Sequence, residues 1–258
     1  SLSQSKDYHH YSMSGTYYYI FNTKEYPFTN VHIRRAFCYA IHREDIVKNL
    51  LQGNQTPATG LIPPSMCDIT PHFQDADIVL AQKEFAIGLK ELGISKDKFP
   101  AIKLSYNTNS GHHKIAQAVQ EQWSQVLGVN VYLENMEWKV FLDTIRTHTF
   151  QVARMGGIAS FNDPITFLSA YQHETSSLNQ CQWSDPEFSR LIELSENEKD
   201  KNKRMSYLLD AEKIFIDQMP IAPIYFYSGS YMQKPYLKKV NISDLSDIDF
   251  KYSYLESK

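Results

Sequence analysis

Between Val129 and Pro164 the chain reads VNVYLENMEWKVFLDTIRTHTFQVARMGGIASFNDP, and this stretch constrains the fold more than any other. Val129, Val131 and Leu133 alternate with polar neighbours, the period-two pattern of a half-buried strand. Trp138, Phe141, Leu142 and Ile145 then fall at i, i+3, i+4 and i+7, one stripe of a helix. Phe150, Val152 and Arg154 share a face of a second strand, with Gln151, Ala153 and Met155 on the other. Gly156-Gly157 is read as the end of that strand and a sharp turn. A guanidinium among apolar neighbours calls for a partner, because an unpaired buried charge is costly. Residue types alone leave that partner open between an internal carboxylate and an anionic ligand.

Upstream, Ile102, Leu104 and Tyr106 alternate as a strand, and Ser110 caps a helix carrying Ile115, Val119, Trp123 and Val126 that Gly128 closes. With the Val129 strand this makes a β-α-β unit, for which a parallel pair is expected. Thr16 to Phe21 is β-prone, and Asn30 caps a helix bearing Val31, Arg34, Arg35, Cys38 and Ile41. A second helix begins near Arg43 and is expected to end with Gly53 in the left-handed conformation. Pro63-Pro64 keeps Thr56–Met66 extended. Asp77–Gly93 is an amphipathic helix, Ser184-Asp185-Pro186-Glu187 opens another, and Asp200–Met219 reads as a third that Pro220 follows. Ile221–Tyr227 is an aromatic strand, and Tyr225 and Tyr227 point the same way along it. Short strand-like runs follow Pro235. The alternation predicts an α/β fold with mixed strands.

The chemistry that the composition admits is narrow. A net charge of −3 gives no basic face for nucleic acid, and no apolar run is long enough for a transmembrane helix. The segment SLSQSKDYHH has no basic n-region or apolar h-region, so its start gives no secretory signal; beginning at Ser1, it reads as processed or truncated. Cys38, Cys67 and Cys181 form neither a metal pattern nor a disulfide framework; three free thiols, or one pair and one thiol, both fit. His112-His113 with His148, Asp143 and Glu137 lacks metal-ligand spacing, and adjacent histidines point apart. No nucleophile elbow, phosphate loop or dinucleotide turn is present, and the carboxylates are scattered. No catalytic residue, metal or cofactor is therefore expected. Trp138, at a strand-to-helix corner, suits either the core or a stacked ligand.

Four collinear segments carry a family resemblance. FNTKEYPFTNVHIRRAFCYAIHREDIVKNLLQGNQTPATGLIPPSM, LSYNTNSGHHKIAQAVQEQWSQVLGVNVYLENMEWKVFLDTI, FQVARMGGIASFNDP and PIAPIYFYSGSYMQKP together resemble the oligopeptide-binding proteins of bacterial ABC importers, the extracellular solute-binding proteins of family 5. The resemblance implies a periplasmic-binding-protein type II lobe with a mixed sheet flanked by helices, plus short segments of a second lobe. It implies a non-catalytic receptor, expected as a monomer in the periplasm or cell envelope, which closes on a peptide and delivers it to a membrane permease. The chain matches about the second half of such a receptor. Residues 1–20 would be a remnant of the first lobe or a hinge strand, 21–226 the second ligand-binding lobe, and 227–258 a return into the first. A half-receptor with only a structural role is the rival reading.

By the same resemblance Trp138 packs against peptide, Arg154 meets a peptide carboxylate, Asn107 and His112 are polar pocket positions, and Tyr227 contacts peptide backbone. In the family pattern G-W-C-A-D-Y-N-E-P the aspartate pairs with the peptide's α-amino group. Here Gly157, Ile158 and Ser160 replace the tryptophan, cysteine and aspartate, and Ile145 replaces a common arginine, with Arg146 following. Ser160 supplies no charge, and a charge-assisted hydrogen bond is roughly twice as strong as a neutral one. The expected ligand therefore includes blocked or modified peptides and other small solutes.

Overall fold

The computed structural model describes residues 5–68 and 70–256. The elements run β1 (Tyr8–Phe21), α1 (Val31–Tyr39), α2 (Arg43–Asp45) continuing into a π-helical turn (Ile46–Leu51), β2 (Thr56–Pro57), α3 (Ile78–Leu92), β3 (Ile102–Asn107) and α4 (Ser110–Leu127). They continue as β4 (Val131–Met136), α5 (Trp138–Arg146), β5 (Val152–Ile158), α6 (Ile165–Leu168), α7 (Pro186–Asn197), α8 (Lys201–Gln218) and β6 (Ile221–Met232). Four two-residue strands close the chain: β7 (Leu237–Lys238), β8 (Asn241–Ile242), β9 (Ile248–Asp249) and β10 (Tyr254–Leu255).

Among the described residues, six strands form one sheet in the order β2-β6-β1-β5-β3-β4. β3 runs parallel to both β4 and β5, whereas β1 is antiparallel to β5 and β6, so the sheet is mixed. β1 lies inside it. Tyr17, Tyr19 and Phe21 on one face and Tyr18 and Ile20 on the other are all buried, the pattern of a strand covered by helices on both sides. Pro223, which cannot donate to a ladder, sits in β6 opposite Tyr18, next to a register shift between Tyr17 and Tyr18.

The helices end where the caps direct. Asn30 accepts from the Ile33 amide, Asp77 from Leu80, Asp185 from Glu187 and Phe188, and Asp200 from Lys203. Gly93 and Gly128 take the left-handed conformation at φ 67° and 68°. The cap of α4 is Asn109 rather than Ser110, one residue earlier. At the end of the π-helical turn Gln52, not Gly53, is left-handed (φ 54°), its amide donating to the Val47 carbonyl five residues back.

Two expectations about the 129–164 stretch change. Gly156 and Gly157 do not turn the chain; β5 continues through both to Ile158, with Gly156 opposite Tyr17 and Gly157 opposite Thr16. The stripe of α5 is only half covered: Phe141 and Ile145 are buried, while Trp138 and Leu142 are exposed. β1 and β6 are also longer than the β-prone runs that mark them, since they pair as a ribbon from Tyr8–Met232 inward. All three cysteines are free thiols, Cys38 and Cys181 buried and Cys67 half-buried.

Candidate binding wall

The parallel strands β3, β4 and β5 end on the same side of the sheet, where α4 and α5 begin. That is the crevice at which open α/β sheets take ligands. The Thr108 amide and hydroxyl both reach the Met136 carbonyl (2.8 and 3.0 Å), tying the β3–α4 turn to the end of β4. Asn109 Oδ1 caps α4 by accepting from the Gly111 and His112 amides, and the Glu137 carboxylate caps α5 by accepting from Lys139.

Arg154 stands at the centre of an aromatic array. Its register partner on β1 is Tyr19, and its Cζ lies 4.9 Å from the ring centre of Tyr17, a cation–π contact. Nη2 is 3.4 Å from the Tyr227 hydroxyl, and Nε is buried without a hydrogen-bond partner. Among the described residues no carboxylate oxygen lies within 4.0 Å of the guanidinium. Tyr17 stacks on Tyr225 at 4.8 Å, and Tyr227 meets Tyr17 and Tyr225 edge-on at 6.4 and 5.4 Å.

Burial sets the protonation of this array. It pushes the Tyr17 hydroxyl well above its ordinary value, and does the same less strongly to Tyr227, where the charge of Arg154 works against it. Burial also pulls the His112 imidazole down to about 4, and the nearby Arg154 charge acts in the same direction. A neutral imidazole and a protonated phenol thus share the 3.3 Å hydrogen bond between His112 Nδ1 and Tyr17 Oη. His113 turns elsewhere, to the Tyr106 hydroxyl at 2.6 Å, and His148 to the Gln180 carbonyl, so the three histidines do not converge.

Arg154, Tyr227 and His112 are therefore joined, and the residue that joins them is Tyr17, which the sequence marked only as part of a β-prone run. Its signal was the alternation of Tyr17 and Tyr19 along one strand face, in step with Tyr225 and Tyr227. Ile158 adjoins the array through Gly15: a Cβ on Gly15 would stand 2.8 Å from the Tyr227 ring and 3.1 Å from Ile158. Trp138, Asn107, Gly157 and Ser160 make no side-chain hydrogen bond or aromatic contact with the array among the described residues. Trp138 is 49% exposed and stacks on Phe141 at 6.2 Å. Asn107 ends β3 with its Oδ1 buried and unpartnered. A Cβ on Gly157 would meet nothing within 4 Å. Ser160 is exposed, its amide 3.4 Å from Thr166 Oγ1.

Charges near these positions are taken. Asp163 accepts from Arg204 through both oxygens (2.7 and 3.0 Å) and from the Ile165 amide at 3.0 Å. Arg146, next to Ile145, pairs with Asp143 at 2.6 Å on the outside of α5.

Comparison with known proteins agrees with this architecture. The family described as bacterial extracellular solute-binding proteins, family 5 Middle, matches residues 1–179. The oligopeptide-binding protein OppA of Bacillus subtilis (strain 168) is 42% identical over 99% of this chain and 48% of its own length. The periplasmic murein peptide-binding protein MppA of Escherichia coli (strain K12) is 33% identical over 92% of this chain and 44% of its own. The solved structure of the periplasmic oligopeptide-binding protein OppAIV from Borrelia burgdorferi superposes with a TM-score of 0.82 at 30% identity, covering 92% of this chain and 47% of that one. The chain thus spans about half the length of the relatives it matches. With its mixed sheet flanked by helices, the periplasmic-binding-protein type II arrangement, and a model match over most of its length, the chain belongs to the bacterial extracellular solute-binding proteins of family 5, a family of receptors rather than enzymes.

Proposed function

We propose that this chain forms one wall of the ligand cleft of a peptide-type receptor that serves an ABC permease at the cytoplasmic membrane, acting as a monomer in the periplasm or cell envelope. The observation that carries this reading is Arg154: a guanidinium held on an aromatic face, with a buried unpartnered Nε and, among the described residues, no carboxylate oxygen within 4.0 Å. A bound carboxylate supplies what that group lacks, a fork of charge-assisted hydrogen bonds in a partly dehydrated place. Trp138 offers a half-exposed plane to an apolar side chain, Tyr227 a hydroxyl to the peptide backbone, and Asn107 and His112 an acceptor and a neutral imidazole. Gly157, Ile158 and Ser160 continue the wall beyond Arg154. These groups read a peptide's backbone and end rather than its sequence, and no cofactor or metal is called for.

The division into 1–20, 21–226 and 227–258 becomes a statement about a hinge. β1 and β6 run through both limits as one antiparallel ribbon, paired from Tyr8–Met232 to Ile20–Ile221, which suits them to join this lobe to another. The relatives of twice the length leave room for that second lobe. Among the described residues no helix is long and apolar enough to cross a membrane.

Calorimetry on the full-length natural protein with a set of di- to pentapeptides tests the reading. At least one peptide is expected to bind, and Arg154→Gln to weaken it about 10- to 100-fold, the worth of one hydrogen bond to a charged group. Absence of binding by every peptide, or an Arg154→Gln protein of unchanged affinity, would overturn it.

A further inference from the structure

We infer that Glu212, a fully buried carboxylate on α8, is a positioning residue for the aromatic array around Arg154, acting through the extended segment Thr56–Met66. The inference rests on the reading of that array as a ligand wall and adds the device that holds it in place.

A carboxylate with no exposure must find inside the fold what replaces its lost water. Glu212 finds it in backbone amides. Its Oε1 accepts from the Leu61 and Ile62 amides at 2.7 and 2.8 Å, and its Oε2 lies 3.2 Å from His72 Nε2. Gly60 permits the approach, since a Cβ there would stand 2.8 Å from Oε1. Pro63-Pro64 denies the segment a helix of its own, so its course is set by what it is tied to.

It is tied to both strands that carry the array. Thr56 and Pro57 pair with Phe226 and Tyr225 on β6, and the Ala58 amide reaches the Ile224 carbonyl at 3.1 Å. The Leu61 carbonyl accepts from the buried Thr16 hydroxyl of β1 at 2.7 Å, and Ser65 Oγ lies 2.9 Å from Ser14 Oγ. These ties fall where the β1–β6 ladder is irregular, with register shifts between Ser12 and Thr16 and again between Tyr17 and Tyr18. Thr16 and Tyr17 stand between the two breaks, where the ladder alone fixes them less firmly. Neighbouring residues of a strand face opposite ways, so the hold on Thr16 from one face sets where Tyr17 stands on the other. Tyr17 in turn carries the Arg154 guanidinium and the His112 imidazole. A binding group keeps its geometry only as well as its support does.

The test uses the full-length natural protein with Glu212→Ala, Glu212→Gln and Thr16→Val. Ile192→Ala, at a fully buried position of α7, is the control for lost stability alone. Calorimetry with the di- to pentapeptide set reads affinity, and the ring ¹⁵N shifts of His112 at pH 7 read its hydrogen bond to Tyr17 without any ligand. Glu212→Ala and Thr16→Val are expected to move the ring shifts and to weaken the binding peptides about 5- to 10-fold, the order of one net hydrogen bond. Glu212→Gln keeps an oxygen for both amides and should restore the parental values, and Ile192→Ala should keep them. Should Glu212→Ala fail to fold, Thr16→Val carries the test. Parental affinity in the variants that fold, or a control that weakens binding as much as they do, would overturn the inference and leave the peptide-receptor reading intact. If no peptide binds the parent, that reading falls, and unmoved ring shifts in Glu212→Ala and Thr16→Val would remove the positioning role as well.

Discussion

The ring of Tyr227 lies across β1 and its hydroxyl occupies the space that a side chain on Gly156 would need. Tyr227 is on β6 and Gly156 on β5, with β1 between them. Gly15 on the intervening strand clears the rest of the path, since a Cβ there would sit 2.8 Å from the ring. Two glycines on neighbouring strands thus open the groove in which the tyrosine reaches Arg154. Gly156→Ala should force the ring to rotate away, at about 1–3 kcal/mol of stability for overpacking a closed site. In a Tyr227→Phe background the same change should cost measurably less, because the obstructing oxygen is gone. Urea unfolding of the four proteins of this cycle reads the coupling; equal costs in both backgrounds would show that the hydroxyl is not what Gly156 accommodates.

This relationship also shows where sequence reasoning stops. The helix ends at Asp77, Gly93, Asp185 and Asp200 were legible because a cap is a local device: a side chain and the amide two or three residues on. The β-α-β unit was legible because alternation and helical spacing are local too. Gly156-Gly157 was not. A glycine pair after a strand reads as a turn, whereas Gly156 makes room for a side chain two strands away and a Cβ on Gly157 would meet nothing within 4 Å. The same limit applies to Tyr17, whose role comes from stacking between Arg154 and Tyr225 across three strands. The spacing of Trp138 and Leu142 set out a stripe, but spacing does not say how far the sheet covers it.

His112 gives the protein a defined acid sensitivity. Its imidazole titrates near 6.5 when unfolded and is held down to about 4 when folded, first by burial and then by Arg154. Between those values the unfolded chain binds more protons than the folded one, so stability falls as pH drops from about 6.5 toward 4 and this loss levels off below. His112→Gln removes the titration. Thermal unfolding at pH 7 and pH 5 should show a larger fall for the parent than for the variant. An identical fall in both would mean that the imidazole is as free to protonate in the fold as outside it.

Arg43 secures the loop that runs behind the sheet. It is fully buried and donates to the carbonyls of Pro223 (2.6 Å), Ile41 (3.0 Å) and Cys38 (3.1 Å) as well as to Asp75 Oδ1 (3.1 Å). It thereby links α1, the loop before α3 and the irregular point of β6. Arg43→Ala would take this buried donor from the Pro223 and Ile41 carbonyls and leave Asp75 without its charge partner, held only by the backbone amides of residues 43 and 44, at about 3–5 kcal/mol. Arg43→Lys should recover only part of that loss, since one ammonium cannot reach acceptors spread around a planar fork. Denaturant midpoints of the three proteins decide it; a lysine variant as stable as the parent would contradict the geometric argument.

Binding should be visible through a single tryptophan. Trp123 and Trp183 are 0% and 5% exposed, Trp123 fixed by a 2.7 Å hydrogen bond to the Phe37 carbonyl, whereas Trp138 is 49% exposed. A ligand laid on the wall changes the surroundings of Trp138 alone among the three. Peptide addition to the full-length protein should shift the intrinsic fluorescence, and Trp138→Phe should abolish most of that shift while affinity falls by about 10-fold, the worth of one aromatic contact. A shift of undiminished size in the variant would place the ligand elsewhere.

Returning a charge to position 160 tests whether this wall can read a peptide's amino end. In the family pattern an aspartate stands where this chain has Ser160, and the neighbouring Asp163 is already engaged by Arg204 through both oxygens and by the Ile165 amide. Ser160 is solvent-exposed, so an aspartate fits without displacing core groups. Ser160→Asp should therefore leave stability within about 0.5 kcal/mol, as surface changes do. A charge-assisted hydrogen bond to an ammonium is worth about 1.5–3 kcal/mol, so the variant should gain about 10- to 100-fold for trialanine relative to N-acetyl-trialanine. An unchanged ratio between the two peptides would show that the amino end lies beyond the reach of residue 160, and that selectivity is decided by a different part of the cleft.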